Sequence, residues 1–328
     1  MMRASKEMLQ AAVMGFCLPA LLLVLAICFY LPGEQLPQPS FPPIQVATTP
    51  ASTGKPASQQ RMIDVLVDDQ RMQMGLEEYV MGAVLSEMPA SFEMEALKAQ
   101  AVACRTYALM ICAEGDKHSG AVCLSAKCCQ GYMTQEDYLQ RGWQEKYVHR
   151  VRTAVMETAG MVLKYDGRLI RSTYFSCSGG ATESALEVWG RDYPYLQSVE
   201  SPGEEETVYY TDTRRYSFTE FQQLLGVVLE GSPETWFGGI TYTAGGGIDT
   251  MDIGGVSYRG TTLRAILGLR STVFRVVVDA NGILLETHGY GHRVGMSQYG
   301  ADAMAMEGYS YDRILAHYYH GTTLDRLE

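Results

Sequence analysis

Glu87 stands where a purely structural carboxylate is out of place. At about 100° per residue, Leu76, Val80, Ala83 and Val84 make one apolar stripe with Tyr79 at its edge, and Glu87 falls near its middle. Pro89 disfavours helical geometry at Met88, so a helix over 76–88 is predicted to stop there. A carboxylate in that last turn meets the negative end of the helix dipole and is partly buried. Both effects favour its protonated form, which a general acid needs near neutral pH. The alternative is a helix-end glutamate paired with a neighbouring Lys or Arg.

His118, Cys123, Cys128 and Cys129 form a second group. The spacing is not that of a standard finger, but nitrogen and sulfur ligands in a short loop suit Zn²⁺. In an oxidising compartment the alternative is a disulfide, from Cys123 to a neighbour or to Cys177. Cys104 and Cys112 sit on one predicted helix, about 12 Å apart along it, too far to bridge each other. Cys177 with His292 as base would make a cysteine hydrolase, but no Asn or Asp orienter is identifiable. Lys98 and Arg105 lie on one edge of a helix whose seam is Met94, Leu97, Ala101, Cys104, Ala108 and Ile111. An Arg there can offer a planar fork to a carboxylate or to sugar oxygens, unless it is solvated or neutralises Glu87.

The elements that must hold these groups read as an α+β fold. Residues 62–67 form a strand, 76–88 and 92–113 helices, and 136–158 a further helical stretch after polar, cysteine-rich sequence. Residues 161–165 and 169–175 flank Asp166-Gly167, and 274–278 and 283–287 straddle Asn281-Gly282, two hairpin signals. Helices are expected at 217–225, 261–267, 297–307 and 310–319, with Gly-rich strands across 240–258. Helices and antiparallel hairpins in separate runs argue for an α+β fold over 61–328 rather than a βαβ sheet.

The folded region reads as an ectodomain, preceded by a membrane anchor. Between Glu7 and Glu34 lie 26 residues without a formal charge, and about 20 apolar residues suffice to cross the hydrocarbon core. The span is read as 8–31, with a cytoplasmic stub at 1–7, because Arg3 and Lys6 keep the short side inside. The rival, a cleaved signal peptide, lacks a small-residue cleavage site after the apolar run. Residues 32–60 carry seven of the twelve prolines and read as an extended extracytoplasmic stalk. With 328 residues and 47% hydrophobic content, disorder and a small disulfide scaffold are excluded as overall classes. The net charge of −11 gives no global electrostatic case for nucleic acid.

Longer motifs carry a resemblance. Leu76-Glu77-Glu78-Tyr79-Val80-Met81-Gly82-Ala83-Val84-Leu85-Ser86-Glu87-Met88-Pro89 is followed by Glu95-Ala96-Leu97-Lys98-Ala99-Gln100-Ala101-Val102-Ala103-Cys104-Arg105-Thr106-Tyr107-Ala108. With Tyr174-Phe175-Ser176-Cys177-Ser178-Gly179-Gly180, Gly291-His292-Arg293-Val294-Gly295-Met296-Ser297-Gln298-Tyr299-Gly300-Ala301 and Ile314-Leu315-Ala316-His317-Tyr318-Tyr319-His320-Gly321-Thr322, the chain resembles the stage II sporulation protein D family over roughly 62–325. That family comprises membrane-anchored lytic transglycosylases related to amidase enhancers.

The resemblance implies that Glu87 is the catalytic glutamate and that Lys98 and Arg105 are basic residues of the active-site groove. It implies that Tyr174, Ser176, Ser178, His292 and Gln298 line the groove, and that a structural zinc is held by His118, Cys123 and Cys129, with Cys128 as a candidate fourth ligand. It further implies a mother-cell membrane protein facing the forespore. Its expected partners are denuded glycan strands, a stage II sporulation protein P-type amidase and a stage II sporulation protein M-type scaffold, and it admits a homodimer. The alternative is a non-catalytic, peptidoglycan-binding activator of the amidase. Two positions depart from the family pattern: Cys177 where a Thr or similar small residue is expected, and Arg293 where Gly follows the His.

Overall fold

The computed structural model describes residues 61–115 and 117–328. The expected stub, membrane span and stalk lie outside the described residues, and among the described residues no helix is long and apolar enough to cross a membrane. The described chain is a mixture of helices and mostly antiparallel sheets, an α+β arrangement.

A hairpin of Met62–Val67 and Gln70–Gly75 turns at Asp68 and Asp69, both with positive φ, and delivers the chain into helix α1 (Leu76–Glu87). The second strand is mostly exposed, so it shows no alternation by which sequence could reveal it. As Pro89 dictates, α1 ends at Glu87 with Met88 in extended geometry (φ −127°, ψ 139°). Helix α2 (Met94–Glu114) follows. Its N-terminus is tied to the far end of the chain by the Glu93 amide, which donates to Asp302 at 2.7 Å.

The single helix expected over 136–158 is two, α3 (Gln135–Gln140) and α4 (Glu145–Glu157). Gly142 between them adopts φ +81°, which a continuing α-helix cannot accommodate. Helix α5 (Ala185–Trp189) was not expected; at five residues it is too short to show a helical period.

The Asp166-Gly167 hairpin forms, with both residues at positive φ, but its return strand is only Arg168–Leu169. Tyr174–Phe175, expected to continue that strand, instead pairs in parallel with Met296–Ser297. Two motifs more than a hundred residues apart thereby become neighbours. The other hairpin, Val273–Asp279 with Gly282–His288, loops at Ala280 and Asn281, one residue earlier than the Asn-Gly pair suggests.

Two apolar clusters result. The first joins α1, α2 and α4 with α8 (Gln298–Met306) and α9 (Tyr311–Tyr318), and includes Tyr79, Val84, Leu97, Ala154, Met296 and Ile314. The second belongs to a lobe of the chain between the two paired motifs. There α6 (Phe218–Leu225) and α7 (Gly260–Ile266) cover two three-stranded sheets around Phe221, Trp236, Met251, Leu263 and Leu285. The capping box of Ser217 and Glu220 starts α6.

Candidate functional site

Glu87 lies at the junction of two cavities, of about 570 and 810 Å³, that share Glu87, Ala126, Tyr174 and His292 and so form one groove. It is the one carboxylate lining either of them among the described residues. The Gly131 amide donates to its Oε1, and the Gln298 side-chain amide donates to its backbone carbonyl at 2.9 Å. Burial raises the Glu87 carboxyl above its ordinary value, against the Gly131 amide, which lowers it. The side chain is thus poised to hold a proton within reach of a ligand, as a general acid must be.

Gly131 is functional geometry that the sequence did not disclose. A Cβ there would stand 2.5 Å from Ser86 Oγ and 2.9 Å from Glu87 Oε1, so only glycine lets this backbone approach the carboxylate. Beside it, the buried Gln130 accepts from the Tyr79 hydroxyl at 2.9 Å and donates to the Tyr174 hydroxyl at 3.0 Å. The Cys104 thiol approaches the same Tyr174 oxygen at 3.6 Å. Burial raises the Tyr174 phenol, which stays neutral.

His292 lines both cavities, packed edge-on to Phe175 and tilted against Trp189. Its Nδ1 accepts from the Val294 amide at 3.1 Å, which fixes the ring. Burial, with Arg264 nearby, pushes the imidazole down to about 4, so it is a neutral group at physiological pH. Ser176 and Gln298 line the larger cavity with Glu87.

Three of the expected groove residues are elsewhere. Lys98 forms ion pairs with Glu95 and Glu157, both at 2.8 Å, and borders neither cavity. Arg105 is fully buried. Its Nε donates to Glu77 at 3.0 Å, and its other nitrogens reach the Met161 and Val155 carbonyls at 3.1 and 3.3 Å, so it clamps α1, α2 and α4. A periodicity argument places a side chain on a helix edge, but not which neighbour will occupy that edge.

Ser178 is likewise buried. With its own amide, the Gly179 amide and the Cys177 thiol, it donates to Glu204, whose other oxygen accepts from Ser201 and Ser297. Glu204 therefore sews the 174–180 motif to the C-terminal motif, and nothing in the local sequence marks it. Burial and this carboxylate raise the Cys177 thiol, which argues against a nucleophile.

The Arg293 departure is equally structural. At φ +66° it occupies a left-handed position that suits glycine. Its buried guanidinium pairs with Glu183 at 2.8 Å and donates to the carbonyls of Ser178, Ala181 and Gly245. Gly245 belongs to the second lobe, so Arg293 pins that lobe to the groove wall.

His118, Cys123, Cys128 and Cys129 converge, with their ligand atoms all within 4.8 Å of one another. All six described cysteines are free thiols. Arg71 braces the loop by donating to the His118 and Ser119 carbonyls at 3.0 and 2.9 Å, and Lys117 donates to the Cys128 carbonyl at 2.7 Å. One nitrogen and three sulfurs at this spacing form a donor set that could hold a tetrahedral divalent metal. Cys128 and Cys129 also line the smaller cavity, so this loop is one groove wall.

Comparison with known proteins identifies the family. Residues 69–165 match the family model of the stage II sporulation protein, SpoIID. The chain is 37% identical to stage II sporulation protein D of Bacillus subtilis (strain 168) over 86% of this chain and 85% of that one. It is 40% identical to stage II sporulation protein D of Bacillus amyloliquefaciens over 77% and 75%. It is 29% identical to the amidase enhancer of Bacillus subtilis over 74% of this chain but only 40% of that protein.

Proposed function

Because the chain belongs to the stage II sporulation protein D family, we propose that it is a lytic transglycosylase that cleaves denuded peptidoglycan strands during sporulation. The observation that carries this reading is the solitary carboxylate. Hydrolysis of a glycoside ordinarily calls on two carboxyl groups at a defined separation, whereas the groove offers Glu87 alone among the described residues.

One group suffices if the nucleophile is the sugar's own hydroxyl. Glu87 protonates the oxygen linking N-acetylmuramic acid to N-acetylglucosamine. The resulting carboxylate takes the proton from the C6 hydroxyl of the muramic acid as that oxygen closes on C1. The bond to the leaving sugar breaks, a 1,6-anhydro ring forms, and no water is consumed. Burial supports the protonated resting state, and the Gly131 amide stabilises the carboxylate formed in the first half. The aromatic rings of the larger cavity offer faces on which sugar rings can stack.

The His118, Cys123, Cys128 and Cys129 loop is read as the holder of a structural zinc, which would supply rigidity to the wall rather than chemistry. The uncharged run at the N-terminus supports an anchor in the cell membrane, with the described residues outside, working beside a cell-wall amidase. Similarity to the amidase enhancer supports the second reading, a non-catalytic activator of that amidase.

Mass spectrometry of peptide-free glycan strands incubated with the purified full chain separates the two. Products lighter by one water than hydrolysed ones, absent with Glu87→Ala, are expected. Intact strands bound but uncut by the unaltered chain would sink the enzyme and favour the activator.

A further inference from the structure

The groove is electrically lopsided. Lys117, Lys127, Arg171 and Arg191 all line the smaller cavity, while no Lys or Arg lines the larger one. This runs against the chain as a whole, whose net charge is −11. Glu87 is the sole acid in the cationic cavity among the described residues. Lys127 and Arg191 are exposed and carry no ion pair among the described residues. Arg171 pairs with Glu114 at 2.8 Å, yet its buried Nε–H has no acceptor among the described residues. Lys117 donates to the Cys128 carbonyl at 2.7 Å and forms no ion pair among the described residues. A concave site that collects four cations in an acidic protein, with a guanidinium donor left open, is built for an anion.

We propose that this cavity is a carboxylate subsite that reads the free lactyl group of muramic acid. The inference rests on the glycan-cleaving function proposed above and adds a basis for choosing denuded strands. While a stem peptide is attached, the lactyl carbonyl is a neutral amide. Once an amidase has removed the peptide, it is an anion held close to the sugar ring. The cationic cavity attracts that anion, and Glu87 lies at the cavity's edge, so recognition and cleavage are adjacent. The larger, aromatic cavity, which no Lys or Arg lines, then takes sugar faces, which gives the strand a preferred direction across the groove.

The test compares three substrates on the full chain: denuded strands, the same strands with lactyl carboxylates capped as methylamides, and strands still carrying their peptides. Capping is expected to raise KM about tenfold with little change in kcat, the scale of one lost charge-assisted contact. Lys127→Gln with Arg191→Gln should raise KM on denuded strands similarly and leave the capped strands unaffected, while Arg191→Lys should retain most of the preference. Equal KM values for denuded and capped strands would overturn the proposal. So would peptide-bearing strands that bind as tightly as denuded ones, since the carboxylates recognised would then be those of the peptide. If the chain cuts no strand, the transglycosylase reading fails by itself. Binding of the three strands to Glu87→Gln, followed by fluorescence anisotropy, then still decides whether the lactyl carboxylate is recognised.

Discussion

Glu87 combines three conditions on one side chain: a helix terminus, partial burial and a single backbone donor from Gly131. Burial lifts its carboxyl above the ordinary 4.5, so the native chain binds that proton more tightly than the unfolded chain. The stability from this site is therefore complete below the ordinary value and is lost as pH rises through the native one. Glu87→Gln is expected to raise Tm at about pH 8 and to leave it nearly unchanged at about pH 4. An equal effect at both values would mean that the carboxyl is not perturbed. Gly131→Ala tests the donor: the added methyl would displace the carboxylate, and kcat is expected to fall by about a hundredfold with the fold intact by circular dichroism. Glu87 could be singled out from sequence because its stripe and Pro89 are local. Gly131 could not, because its importance arises only where the cysteine loop crosses the end of α1.

At the scale of elements, the loop from Lys117 to Tyr132 does two jobs, gathering four metal-type donors and delivering Gly131 to Glu87 and Gln130 to Tyr79 and Tyr174. If it holds zinc, the purified chain should contain one ion per molecule, and cobalt exchange should give the visible absorption of a tetrahedral thiolate site. Chelation should then expose the loop to proteolysis before the rest of the chain. A chain that binds no metal while Cys123 and Cys129 form a disulfide under air would contradict this. Helix periods in the sequence located α1 and α2 to within two residues. They missed the Gly142 break, where a single left-handed residue outweighs otherwise continuous helical sequence. They also set Arg105 on the correct helix without showing that Glu77 and two carbonyls would claim it.

Across the whole molecule, two buried charges hold distant segments in register. Glu204 gathers donors from 177–179, Ser201 and Ser297, while Arg293 ties 178–183 to Gly245. Glu204→Ala would strand several buried donors at once, each costing about 1–3 kcal/mol. Urea unfolding is expected to show a loss of at least about 3 kcal/mol, and a loss below about 1 kcal/mol would show that the cluster is easily rewired. Apart from Ser201, these partners lie 25 to 115 positions away, which explains why Glu204 was invisible in the sequence and why Arg293 read merely as a departure.

The pairing of Tyr174–Phe175 with Met296–Ser297 has a temporal meaning as well. Gln298 reaches Glu87 from 211 residues further along the chain. A polypeptide still emerging from the ribosome carries the glutamate on α1, but lacks the strand, the imidazole and the amide that complete the cleft. Contacts of such long range form late in folding. If the chain cuts glycan strands as proposed, it has no complete cleft until its final helices arrive, so chain order itself delays the activity.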